Sequence, residues 1–467
     1  VLMARTHFLG EKRVIMSSIK LTKLEKIGFG AGDMSVNVVI SSMFLIMTFF
    51  YTDVFGLKPE DLATMLLVVR LLDAVTDPLM GLATDHTKTR WGRYRPYFLF
   101  LSVPFGLSVF LTFSTPDFDY NMKLVWAYAT YIFVTIMFTG VTIPYISLIG
   151  VLTDDPKERL SANGYRLFCA KIAAFLVTIV VPLLANAEFW QGDTAAGYQA
   201  AMGLMAFIGT ALLLFCFATT KERIAHQVDN RSLLQQIKIL MRNDQWLILA
   251  SVCLLGTIGY AVRSAVALYY AKYYLGGDAQ FQSLFLSISV GAAILAMVAS
   301  TYITKSYCKV KLFRFSQIAV GAISVLMFFA VQPGDFVLAL ILYFALSFVV
   351  DLHAPVFWSA IAEAVDYGEV KNNNRVSGIA YGGITFFQKA GMGIAGWLVG
   401  TLLAFYGYQA DQQQTAQALY GIALMLCVIP GAFHTLVGFI MYKYVITDDY
   451  YEGLKPELKT LSNQSPA

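Results

Sequence analysis

Residues 66–81 read LLVVRLLDAVTDPLMG, an apolar run interrupted by Arg70, Asp73 and Asp77. A bilayer's hydrocarbon layer, about 30 Å thick, takes roughly 20 helical residues at 1.5 Å each, and this run lies inside such a stretch. Ionised groups at that depth are costly unless they face a cavity or one another. Asp73 and Asp77 stand four apart and share a helix face, with Arg70 one turn earlier on the same face. Two carboxylates so close cannot both ionise cheaply, and a cation between them relieves the repulsion. The cation is Na⁺, held by carboxylate oxygens and by hydroxyls such as those of Thr76 and Thr139, or a proton shared by the pair. The alternative is a neutral network in which Arg70 pairs permanently with one acid.

The rest of the chain has the same character. Of 467 residues, 57% are hydrophobic and 14% charged, and the mean hydropathy is +0.62. That balance exceeds what a soluble core needs and predicts an all-α membrane protein. Apolar windows fall near 34–55, 61–83, 97–114, 123–150, 166–186, 198–218, 246–275, 281–303, 313–331, 336–362, 376–405 and 417–442. Basic residues cluster in alternate loops, as in TKTRWGRYRP (87–96), and this pattern places both termini in the cytoplasm. The first span is expected to act as its own membrane signal, with Met16 as an alternative start. The expected location is a bacterial inner membrane.

The longest polar interval, 219–244, separates six spans from six and reads as a cytoplasmic linker, helical from about Ser232 to Met241. It divides the chain into an N-terminal segment (1–33), a first bundle (34–218), the linker, a second bundle (245–445) and a cytoplasmic tail (446–467). Loops correspond weakly across the linker at offsets of about 210–220 residues, the trace of a two-bundle secondary transporter with its site at the midplane. Five scattered cysteines give no disulfide framework or zinc spacing. The net charge of +4 resides in the cytoplasmic loops and implies no nucleic-acid partner. No phosphate-cradling GxxxxGK[ST] and no nucleophile–base pair occurs, which argues against ATP hydrolysis and against an enzyme. No cofactor is expected beyond the coupling cation.

Further polar residues lie deep in other spans. Lys171 follows Arg166 on the fifth, and Arg263 lies in the seventh. Asp351 and His353 point to different faces of the tenth, where His353 reads more readily as a packed, neutral histidine. Trp358 offers an indole face to a sugar ring or to simple packing. Lys389, beside Gln388 and one turn after Thr385, either bridges the cavity by a salt bridge or binds substrate. The deepest positions hold a slight excess of bases, which leans toward an anionic substrate. In the loop after the second span, Gly81, Asp85, Gly92 and Arg93 suit a gate whose contacts form and break as one face closes and opens.

The runs EKIGFGAGD, FFYTDVFGL, LLDAVTDPLMG, TRWGRYRP, IPYISL, DPKERLSANGYR and AVDYGEVKNNNRVSGIAYG together resemble the glycoside-pentoside-hexuronide:cation symporter family of the major facilitator superfamily, whose best-known member is the melibiose permease. The resemblance runs from about residue 24 to 445. It implies a twelve-helix major facilitator fold, a coupling cation at Asp73 and Asp77 beside Thr139, a substrate-binding Arg166, and Lys389 between the sugar and cation sites. It also implies a gating Arg375, joined in that role by Asp85, Arg93, Arg159 and Asp366. The chain aligns neutral Asn37 and Thr142 where the melibiose permease has sugar-binding acids. With Lys171 and Arg263 adding positive charge, this points to an acidic substrate, a uronide or a sulfonated sugar. The remaining readings are a neutral pentoside or glycoside, and an uncoupled facilitator or an exporter of a related metabolite. A functional monomer is expected.

Overall fold

The computed structural model describes residues 20–153, 156–185, 189–223, 233–372 and 376–464, and among these it is helical almost throughout. Among the described residues, ten helices are long and apolar enough to cross a membrane. Two further long helices, Pro59–His86 and Ser377–Phe405, are diluted by the charged and polar residues that make them interesting. Together they give the twelve spans expected.

The first span runs Lys23–Leu45, continues through Met47–Phe49 and ends in a π-helical turn, Phe50–Val54. It starts well ahead of residue 34 because Thr22 and Glu25 form a reciprocal capping box. The second is Pro59–His86, the third Arg95–Thr112, the fourth Tyr120–Leu152, the fifth Pro156–Leu184 and the sixth Thr194–Thr219. The linker holds the short helix Leu233–Leu240. The seventh span, Asp244–Tyr269, again ends in a π-turn, Tyr270–Tyr274. The eighth is Ala279–Ile303, the ninth Lys309–Ala330 and the eleventh Ser377–Phe405. The tenth is broken between Phe336–Asp351 and Ala354–Asn372, where Pro355 has no N–H to donate to the Asp351 carbonyl four residues earlier. The twelfth breaks at Cys427, between Ala416–Leu426 and Val428–Ile440. A final helix, Asp448–Gln464, lies in the segment expected to be a plain tail.

The internal repeat is visible in the hydrogen bonds. Phe55 N donates to Phe50 O and Leu57 N to Tyr51 O, both at 2.8 Å, while Leu275 N donates to Tyr270 O and Gly277 N to Ala271 O, both at 2.9 Å. Gly56 and Gly276 close these equivalent turns with φ of 82° and 75°, a conformation that favours glycine. Packing repeats as well. The first span packs on the fifth as the seventh packs on the eleventh, and the third on the sixth as the ninth on the twelfth. Between bundles, the second meets the eleventh, the fifth meets the eighth, and the first meets the seventh.

These inter-bundle contacts lie in the half remote from the termini. A Cβ on Gly400 would sit 2.7 Å from Ala63 Cβ and from Pro59 O, one on Gly396 would meet Leu66 at 2.8 Å, and one on Gly393 would meet Arg70 at 2.7 Å. The glycine stripe therefore lets the eleventh helix lie almost against the second. Toward the termini, a Cβ on Gly81, Gly378 or Gly382 would meet nothing within 4 Å. Among the described residues, the second and eleventh helices meet at one end and leave these glycines uncovered at the other.

Each bundle is stitched internally at the termini face. The Glu222 carboxylate accepts the backbone N–H groups of Arg93, Tyr94 and Arg95 at 2.9, 2.7 and 3.0 Å, capping the third helix from the start of the linker. Gly92, with φ 110°, leaves room for that carboxylate. Glu222→Ala is expected to destabilise this corner by about 1–2 kcal/mol. The readout is faster amide hydrogen exchange at residues 93–95, and unchanged exchange would count against the cap.

Candidate functional site

The second helix presents Asp73 and Asp77 one turn apart, with Asp73 1% and Asp77 20% exposed. Arg70 Nη1 lies 2.7 Å from Asp73 Oδ2, and its Nη2 donates to the Tyr131 hydroxyl at 3.1 Å. From the other bundle, Lys389 Nζ donates to both oxygens of Asp77, at 2.8 and 2.6 Å, and stands 3.8 Å from Asp73 Oδ1. Thr139 Oγ1 lies 2.9 Å from Asp77 Oδ1 and 3.5 Å from Asp73 Oδ1. Thr76, read as a further hydroxyl ligand, instead donates to the backbone oxygen of Asp73 at 3.4 Å.

Two carboxylates thus face two cations, one from each bundle, and the group is neutral. In so buried a place each charge needs its partner, since breaking one side of a buried pair costs about 3–5 kcal/mol. Oxygens from Asp73, Asp77 and Thr139 converge in this conformation on the place taken by the Lys389 ammonium.

A second polar group lies in the first bundle. Arg166 Nε bonds Asp33 Oδ1 at 3.0 Å, and Asn37 Nδ2 donates to Asp33 Oδ2 at 3.1 Å and to its backbone oxygen at 2.8 Å. Tyr145, beneath the Arg166 guanidinium at 5.8 Å, donates to Phe29 O at 2.7 Å. Asp33 is only 4% exposed. The sequence reading passed over it, counting the neighbouring Asn37 as a lost acid. A carboxylate lies one turn earlier, and it balances Arg166.

Within the second bundle, Arg263 is 4% exposed and its Nη2 lies 3.2 Å from His434 Nε2. His434 Nδ1 lies 2.8 Å from Gln317 Oε1. Since arginine only donates and an amide oxygen only accepts, His434 is neutral with its proton on Nδ1. Gln317 Nε2 lies 3.1 Å from His353 Nδ1, which meets Val350 O more closely, and the His353 ring is tilted against Phe313, 4.7 Å between centroids. Arg263 Nη1 is buried with no hydrogen-bond partner. Nothing in the sequence marked Gln317 or His434, which stand beside Ser316 and Thr435 in otherwise apolar stretches.

The structure does not gather the other candidates into these groups. Lys171 and Gln388 are half-buried, and among the described residues no hydrogen bond or ion pair engages either of them or Asp351. Thr142 Oγ1 is buried and unpartnered, Thr385 donates to Tyr381 O at 3.2 Å, and Trp358 is 47% exposed with Phe357 edge-on. Of the gate residues, Arg93 gives its backbone N–H to Glu222. Arg159 caps the fourth helix through Thr153 O at 2.8 Å, and Asp366 accepts from Tyr451 at 2.6 Å. Each of these partners lies in the same half of the chain. Arg375 and the Asp85 side chain fall outside the described residues.

Two like-folded helical bundles with a charge cluster shared across their interface define a secondary membrane transporter of the major facilitator fold. The family model for MFS/sugar transport proteins matches residues 28–448. The inner membrane symporter YicJ of Escherichia coli (strain K12) is 34% identical over 96% of this chain and 96% of its own length. The isoprimeverose transporter of Lactiplantibacillus pentosus is 33% identical over 90% of this chain and 88% of its own. A crystal structure of a D-xylose-proton symporter superposes with a TM-score of 0.64 at 14% identity, covering 90% of this chain and 96% of that one. The chain belongs to the glycoside-pentoside-hexuronide:cation symporter family of the major facilitator superfamily. It is a transporter, not an enzyme, and its class of activity is sugar-related symport.

Proposed function

We propose that this chain couples the movement of a sugar-derived anion to a cation, H⁺ or Na⁺, by alternating access. The observation that carries the reading is Lys389 of the second bundle bonded through both oxygens to Asp77 of the first. Lys389 is a tethered cation occupying the place of a free one. When H⁺ or Na⁺ neutralises the carboxylates, Lys389 is released and the bundles lose a bond that held them in one relation. The freed ammonium is then available to an anionic solute in the cavity between the bundles. Binding of each ligand favours the other because both act on one two-state rearrangement.

Charge supports the anionic reading. Among the deep charged residues named above, Asp33, Asp73, Asp77 and Asp351 stand against Arg70, Arg166, Lys171, Arg263 and Lys389, an excess of one positive charge. Arg263 Nη1 makes no hydrogen bond. The positive-inside pattern puts the termini face in the cytoplasm, so this conformation is open inward. A second reading, a neutral glycoside, is favoured by the Asp33–Asn37–Arg166 group, whose acid, amide and guanidinium suit sugar hydroxyls, and by the isoprimeverose transporter among the relatives.

A thermal-shift screen of purified protein against neutral glycosides, uronides and sulfonated sugars, with and without Na⁺, separates the two. Stabilisation by anionic ligands alone, lost in Arg263→Ala, is the expected result. Stabilisation by neutral glycosides alone would overturn the anionic reading.

A further inference from the structure

The end at which the bundles meet carries a second buried carboxylate that transport has to disturb. Asp53 lies in the π-turn closing the first helix and is 7% exposed. Its Oδ2 accepts from the Tyr408 hydroxyl at 2.5 Å and from Thr52 Oγ1 at 2.6 Å, and its Oδ1 accepts from the Tyr273 hydroxyl. Lys272 Nζ lies 3.5 Å from Asp53 Oδ1 and 2.8 Å from Asp411 Oδ1. Thr52 itself meets the Tyr269 hydroxyl at 2.7 Å. Asp53 and Thr52 belong to the first bundle, whereas Tyr269, Lys272, Tyr273, Tyr408 and Asp411 belong to the second.

A carboxylate this deep is tolerable because three hydroxyls and an ammonium satisfy it, and three of those four donors come from the other half of the chain. Separation of the bundles at this end would strip those donors together. The partners converge from the π-turn of the seventh helix and from the segment following the eleventh, the helix that also carries Lys389 and the glycine stripe. Movement of the eleventh helix away from the second therefore bears on both carboxylate sites.

We propose that Asp53 is the latch of the outer gate, a positioning residue that sets the balance between inward-open and outward-open states through Tyr273, Tyr408 and Lys272. The proposal rests on alternating access and on the membrane orientation given above, and it requires neither an identified substrate nor an identified cation. Asparagine at 53 keeps the size of the side chain but loses the charge that draws Lys272 and the second oxygen that accepts a phenol. The equilibrium should then move toward the outward-open state.

The test uses two reporters, each one cysteine added to the full chain and its five native cysteines, and each compared with the chain lacking the added one. Leu66→Cys lies beneath Gly396 in the closed outer half, and Gly382→Cys lies in the open half, where a Cβ meets nothing. A membrane-impermeant thiol reagent is applied to right-side-out and inside-out vesicles. With Asp53→Asn, labelling of Leu66→Cys from outside should rise about tenfold, while labelling of Gly382→Cys from inside falls. Tyr408→Phe and Lys272→Gln should move both rates in the same directions by less. A merely loosened fold would raise both rates, and that result, like unchanged rates, would overturn the latch. If Asp53→Asn fails to reach the membrane, Tyr408→Phe decides on the same criteria, because it removes one hydroxyl and keeps the ring. Reporters that respond to added sugar in the parent chain but not to these substitutions would sink the latch while sparing alternating access.

Discussion

Asp77→Asn is expected to abolish concentrative uptake and leave exchange and downhill flux. The substitution keeps the side-chain shape but removes the charge that Lys389 grips through two short bonds. The nearest remaining carboxylate oxygen is Asp73 Oδ1, at 3.8 Å from Lys389 and already flanked by Arg70 on its other oxygen. Arg70 and Lys389 would then face a single acid, and a further cation entering the group would meet net positive charge. Binding of H⁺ or Na⁺ should fail, and with it the step that ties substrate movement to a gradient. Breaking one side of so buried a pair costs about 3–5 kcal/mol, enough to shift a conformational equilibrium by orders of magnitude. Proteoliposomes with an imposed pH or Na⁺ gradient provide the measurement. Accumulation above the external concentration by the mutant would refute the assignment of the cation site, whereas loss of both accumulation and counterflow would indicate a folding defect.

What the sequence disclosed and what it hid follow from the range of the interactions. Spacing along one helix is local, so Asp73, Asp77 and Arg70 were legible as a shared face, and the apolar windows gave the spans. The two long helices that fall short of the apolar criterion, Pro59–His86 and Ser377–Phe405, are the ones that carry the cross-bundle pair, because the same polar residues that lower hydropathy build the site. Partners across bundles are a different matter. No spacing connects Lys389 to Asp77, 312 positions apart, or Asp53 to Tyr408, 355 apart.

Charges near helix starts were also misjudged. Asp33 fell in a segment read as cytoplasmic, although the capping box at Thr22 begins the helix early enough to carry it into the bundle. Asp33 thereby stands one helical turn before Asn37 and beside Arg166. Arg159 and Asp366 illustrate the opposite limit: basic and acidic residues at helix ends read equally well as gates and as caps, and in this conformation Arg159 bonds Thr153 O and Asp366 accepts from Tyr451 of the final helix.

The glycine stripe gives the other large expected effect. A Cβ at Gly400 would meet the backbone oxygen of Pro59 at 2.7 Å and Ala63 Cα at 3.0 Å, and backbone atoms have no rotamer through which to yield. Gly400→Val therefore cannot be accommodated without driving the second and eleventh helices apart at the closed end. The intrinsic effect on the helix is mildly favourable, since glycine is the poorer helix former, so any loss comes from the inter-bundle contact. Overpacking of this kind costs about 1–3 kcal/mol, paid only in the state where the two helices touch. The closed outer gate is thereby destabilised relative to the open one, and uptake should fall about tenfold or more while substrate still binds from outside. Gly396→Val should do less, because its obstacle is the Leu66 side chain, which can rotate away. Gly382→Val, in open space at the other end, should leave the closed outer gate undisturbed. Transport by Gly400→Val at the unmodified rate would mean that the second and eleventh helices need not meet during the cycle, and the assignment of this interface as a gate would fail.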